Sequence, residues 1–109
     1  MKKAREHLLE GDIIDLKLKD GTLQTLLYVG TREYAPHTES HFIMADPDHE
    51  HFGKKVMYSD RFEVDSFQKI GSIGHKEWKE LAESRDVLKR RLDLMRQQVE
   101  QPEFIREFL

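Results

Sequence analysis

Apolar and polar positions alternate along residues 11–30, Gly-Asp-Ile-Ile-Asp-Leu-Lys-Leu-Lys-Asp-Gly-Thr-Leu-Gln-Thr-Leu-Leu-Tyr-Val-Gly, and the pattern turns back on itself at Asp20-Gly21. This predicts a β-hairpin. A two-residue turn there sets Ile14 opposite Leu27, Leu16 opposite Thr25 and Leu18 opposite Leu23, so that one face is nearly all apolar. The other face pairs Asp15 with Leu26 and Lys17 with Gln24 near the tip, and Ile13 with Tyr28 at the base. A ribbon that is polar at its tip and apolar on both faces at its base is expected where strands curl around a small core.

Further strands are expected over Ser40–Asp46, Lys54–Tyr58 and about Phe62–Ile70. The runs 42–45 and 56–58 are short and continuously apolar, the pattern of strands covered on both sides. Segments 31–39 and 46–53 are rich in Pro, His, Asp, Glu and Thr without apolar periodicity, and are expected to be surface loops. Residues 2–9 are long enough for one or two helical turns, with Leu8 and Leu9 closing one mouth of a barrel. The predicted fold class is α+β: a small bent antiparallel β-barrel of SH3 or Sm type with about five strands, occupying residues 1–74.

The period changes at Gly74. With Gly74 as N-cap, Glu77 falls at the third helical position, and Ile73 and Trp78 take the two positions of a hydrophobic staple. A helix is expected to run to about Gln101, where Pro102 stops it. Trp78, Leu81, Leu88, Leu92, Met95 and Val99 recur along it at three- and four-residue steps, with Arg85 at the one missing position, which makes a heptad seam. Such a helix would be roughly 40 Å long, longer than a small barrel is wide. Either it overhangs and pairs with a second chain through this seam, or it breaks near Ser84-Arg85-Asp86, where Ser84 can cap a second helix. Phe104, Ile105, Phe108 and Leu109 form a short apolar tail that is expected to dock. Residues 75–109 thus read as a C-terminal long helix or helical hairpin, packed on the barrel or on another copy, within a single domain.

Composition narrows the functional classes. The 109 residues contain no cysteine, so disulfides and thiolate metal sites are excluded and a reducing, cytoplasmic setting is the expectation. No apolar run is long enough for a membrane span. The net charge is −3, with 10 Lys+Arg against 13 Asp+Glu in residues 1–74 and 8 against 8 in residues 75–109. That balance disfavours nonspecific duplex DNA binding.

Candidate chemistry is sparse. His49 and His51 lie at alternate positions of a loop with Asp46, Asp48 and Glu50, a donor set that suits zinc, nickel or iron, but the spacing matches no standard metal motif. His37 and His41 flank the other predicted loop. Gly71-Ser72-Ile-Gly-His75 lacks the spacing of a nucleophile elbow and is explained by the entry into a helix. No catalytic residue, cofactor site or metal site is therefore assigned. Arg85, Lys89 and Arg96 share one helical face, with Arg90 and Arg91 adjacent, and form a possible nucleic-acid stripe. Tyr28, Tyr34, Phe52 and Tyr58 are possible stacking platforms.

The layout of a short N-terminal helix, strands carrying Leu18-Lys-Asp-Gly-Thr22 and a bent barrel resembles Sm-like RNA-binding proteins over residues 2–70, at the level of architecture. That family's Met-Asn pair has no counterpart here, and its later Arg-Gly step is replaced by Ser59-Asp-Arg61, so its base-binding positions do not transfer. The sequence thus leads to a non-enzymatic intracellular binding or regulatory module with no cofactor, acting through an unidentified protein partner and as a homodimer. The alternative is a single-stranded RNA or DNA binder that uses the barrel mouth and the basic stripe.

Overall fold

The computed structural model describes residues 1–99 and 103–107. The elements run in the order α1 (Lys2–Glu6), β1 (Asp12–Leu18), β2 (Leu23–Tyr34), β3 (His37–Met44), β4 (Lys55–Ser59), β5 (Val64–Ser72), α2 (His75–Leu81), α3 (Arg85–Gln97) and β6 (Ile105–Arg106). All strands pair antiparallel in one six-stranded sheet ordered β4-β3-β2-β1-β5-β6.

The hairpin forms where expected, but its register differs by one residue. Ile13 faces Leu27, Ile14 faces Leu26, Asp15 faces Thr25 and Lys17 faces Leu23. The cause is a three-residue loop in place of a two-residue one. Leu18 N–H donates to the Thr22 carbonyl (2.9 Å), Gly21 N–H donates to the Leu18 carbonyl (3.0 Å), and Gly21 takes φ +89°. A turn followed by a left-handed glycine is the usual three-residue hairpin connection. The change of partner sets Ile14, Leu16, Leu26 and Tyr28 in one core and Ile13 and Leu27 in the other.

The sheet is open, which corrects the expected barrel. β4 and β5 follow each other through residues 60–63 without pairing, and α1 lies across that gap. The Met1 ammonium donates to the Phe62 carbonyl (2.8 Å), and Arg5 donates to both carboxylate oxygens of Asp60 (2.6 and 2.7 Å). Glu107, just beyond β6, pairs with the Met1 ammonium (2.6 Å) and accepts from the amides of Lys3 and Ala4 (3.0 and 2.9 Å). A five-residue helix is marginal by itself, so these contacts from distant elements hold it in place. Met1, Ala4 and Leu8 then pack on the lower face of the sheet with Ile14, Leu26, Phe42 and Phe67. Leu9, expected beside Leu8, is 74% exposed.

Segment 31–39, expected as a loop, is the far end of a hairpin. β2 continues to Tyr34 and β3 begins at His37 after a cis Ala35–Pro36 bond. Its residues are largely exposed on both faces, so no apolar alternation marks it.

The single long helix is also corrected. It breaks into α2 and α3, with Ser84 capping the second by accepting from the Val87 amide at 3.5 Å. α3 ends at Gln97, and the proposed stop at Pro102 lies outside the described residues. Folding back lets both helices lie on the upper face, where Trp78, Leu88, Leu92 and Met95 bury against Ile13, Leu27, Ala45, Ile70 and Ile73. Leu81 and Val99 pack at the margin of the same cluster. The heptad seam therefore faces the chain's own sheet. The tail is held through β6 and Glu107, while Ile105 stays 37% exposed; Phe108 and Leu109 lie outside the described residues.

Candidate functional site

The helices α2 and α3 cover the upper face over its centre, and the part formed by the ends of β2, β3 and β4 stays open as a groove. A bulge in β2 creates its opening. Pairing passes from Tyr28–Phe42 to Gly30–His41, which leaves Val29 unpaired and 42% exposed. Bulges re-aim a side chain and bend the strand in this way. Across the open face the register aligns Arg32 with Glu39 and Ser59, Gly30 with His41 and Met57, and Leu27 with Ile43 and Lys55. Nothing lies within 4 Å of the position a Cβ would take at Gly30, so the middle of this face is recessed.

The resulting groove has a volume of about 430 Å³ and is lined by Val29, Thr31, Arg32, His41, Ile43, Lys55 and Met57. Its floor is apolar, with Met57 57% exposed. Its rim carries two cations, Arg32 and Lys55, neither held in an ion pair among the described residues, with Glu39 opposite Arg32 in the ladder. The Nε2 of His41 is buried without a hydrogen bond to the described residues, 3.6 Å from a carboxylate oxygen of Glu39. An unpaired buried polar atom costs free energy that a bound acceptor or donor recovers. A second groove, of about 470 Å³, lies near the hairpin tip between Lys17, Leu23, Asp65 and Phe104. Its charges answer one another, Arg106 approaching Asp65 at 3.4 Å, and it adjoins the segment outside the described residues.

The residues singled out from sequence are placed elsewhere. Arg85 donates to the Pro47 carbonyl (3.3 Å) and stacks 5.1 Å above the Phe52 ring, while Lys89 pairs with Asp48 at 2.9 Å. The hydrogen bond to Asp48 raises the Lys89 pKa above its ordinary value. Two members of the basic stripe thus clamp the 46–53 loop onto α3. Arg96 reaches under the helix instead: Nε and Nη2 donate to the two oxygens of Asp15 (2.9 and 3.1 Å), and Nη2 donates to Thr25 Oγ1 (2.9 Å). That carboxylate, more than burial, sets the Arg96 pKa, which is held above its ordinary value.

In the loop itself, His51 N–H donates to His49 Nδ1 (3.0 Å). Among the described residues no group of three or more His, Cys, Asp or Glu side chains is arranged to hold a metal ion. His37 sits at the turn into β3, apart from His41 in the groove. Ser72 donates to Asp12 (2.6 Å), and Gly71 lies where a Cβ would come within 2.8 Å of Met95 Sδ, so this pair serves strand and helix packing. Tyr28 is buried and bonded to Thr31, Tyr58 donates to Gln24 (2.6 Å), Phe52 packs edge-on to Trp78, and Tyr34 is exposed at the hairpin end.

Val29, Arg32, Ile43, Lys55 and Met57 carried no motif in the sequence. The available signal was the isolated Gly30 at the end of an apolar run, a marker of a bulge. No family model, curated protein or solved structure matches the chain. Among the described residues no helix is long and apolar enough to cross a membrane.

Proposed function

We propose that the protein is a non-enzymatic, cytoplasmic binding module that captures an acidic segment of a partner protein in the β2–β4 groove. The observation that carries this reading is the uncovered part of the helix-bearing face, with an apolar floor at Val29, Ile43 and Met57 and, among the described residues, no ion pair to Arg32 or Lys55. Its volume falls within the range of ligand sites and takes a few side chains of an extended chain. Charge complementarity selects the class of partner: aliphatic or aromatic anchors fill the floor, and flanking carboxylates meet the rim. The stripe of Arg85, Lys89 and Arg96 supports a nucleic-acid reading less well, because each of these cations already has a partner within the chain.

The test is fluorescence anisotropy with labelled Asp/Glu-rich peptides that each carry one Leu or Phe, set against Lys-rich counterparts and single-stranded oligonucleotides. The acidic peptides are expected to bind, and Arg32→Glu to weaken them by about tenfold or more at low salt. Oligonucleotide binding that exceeds peptide binding, or peptide binding indifferent to Arg32→Glu and Lys55→Glu, would overturn the proposal.

A further inference from the structure

β4 is an edge of the sheet, and its register fixes which backbone groups face outward. Met44 N–H donates to the Lys54 carbonyl and Asp60 N–H donates to the Thr38 carbonyl, both within the β3–β4 ladder. Since antiparallel pairs alternate, Val56 and Tyr58 also bond toward β3, and Lys55, Met57 and Ser59 turn their backbone groups to the free edge. An edge of this kind is a template for a further strand.

We infer that two copies of the chain pair antiparallel through β4, around a two-fold axis that passes beside Met57. The strand is self-complementary about that residue. Met57 N–H donates to the carbonyl of the partner's Met57, and the Met57 carbonyl accepts the reciprocal bond. Ser59 N–H donates to the carbonyl of the partner's Lys55, again twice over by symmetry; the Ser59 carbonyl is already used by Phe62 N–H (3.0 Å). Lys55 then faces the partner's Ser59, and Lys54 faces the partner's Asp60, so no like charges meet across the axis. On the lower face Val56 meets the partner's Tyr58, extending the rim of the core that both residues already join. On the upper face the exposed Met57 meets its own copy.

Strands paired across the axis share faces, so the helices of both copies lie on one side of a continuous sheet. The two grooves, each floored in part by Met57, run together into one trough with Arg32 and Lys55 of each copy along it. A strand of five residues makes a small interface, so the dimer populates with concentration. The pairing rests on the β4 edge alone and is tested without any groove ligand, so its failure leaves the binding proposal standing.

Three variants read it out. The chain has no cysteine, so Met57→Cys introduces a single thiol. Hydrogen-bonded antiparallel partners stand about 5.5 Å apart at Cα, within disulfide reach. In Ser59→Cys the like residues lie four positions out of register, roughly 13 Å apart along the strand. Oxidation is expected to cross-link the Met57→Cys protein at least about tenfold faster than the Ser59→Cys protein. Met57→Pro removes an N–H that no bond among the described residues uses, which an edge strand tolerates. It should keep the circular dichroism of the parent and lose the parent's concentration-dependent sedimentation. Equal cross-linking rates, a folded Met57→Pro protein that still dimerises, or a parent that stays monomeric at millimolar concentration would each overturn the inference.

Discussion

Asp15 sits on the upper face beneath α3, its side chain 12% exposed, and it is tolerable there because Arg96 and Thr25 occupy both of its oxygens. Removing the cation leaves a nearly buried carboxylate without its charge partner. Arg96→Met is therefore expected to destabilise by about 2 kcal/mol, less than a fully buried pair would, because Arg96 keeps more than a third of its side chain in water. The double variant Asp15→Val/Arg96→Met should recover most of the loss, as denaturant melts of the parent and the two variants would show. A second pair, Arg5 with Asp60, ties α1 to the segment after β4. The hydrogen bond from Arg5, opposed by partial burial, holds the Asp60 carboxyl below its ordinary value of 3.8. A group depressed on folding contributes stability that is present above the unfolded value and lost as pH falls through the folded one. The parent should thus lose stability progressively from about pH 5 downward. Asp60→Asn, weaker by about 1.5–3 kcal/mol at neutral pH, should show a flatter acid limb in chemical denaturation across that range.

At the scale of elements, the seam on α2 and α3 is a core. Leu88 is fully buried against the sheet, so Leu88→Ala should cost about 2–5 kcal/mol. That loss should be the same at every protein concentration, whereas an interchain seam would give a melting temperature that rises with concentration. Heptad spacing records that one stripe is apolar, and it is silent about whether the covering surface belongs to the same chain. The break at Ser84 decides that question, and it was legible as a capping residue next to a missing seam position. The entry of α2 at Gly74 was legible for the same reason, because caps are local chemistry. The hairpin was legible in its existence and misplaced in its register, because Asp20-Gly21 fits a two-residue turn and a three-residue one alike. The 31–34 and 37–39 strand ends were hidden by exposure on both faces, and of their residues Thr31 and Arg32 line the groove. His41 was visible as a histidine, but its neighbours Val29, Arg32 and Met57 meet it only through cross-strand register.

For the molecule as a whole, sheet coverage is uneven. α1 and the Glu107 contacts close the lower face, the helical hairpin closes half of the upper one, and β2–β4 are left with an apolar floor, a basic rim and a free edge. The site is built from strand surface, so its residues are scattered in sequence, while the conspicuous loop and stripe hold α3 to the 46–53 segment and to Asp15 of the sheet. The most direct test is an amide-resolved NMR titration of the full chain with a Leu-bearing, Asp/Glu-rich peptide. The shift changes are predicted to cluster at 29–32, 41–43 and 55–57. Changes centred on 85–96, or none at any peptide excess, would contradict the assignment of the groove as the binding surface.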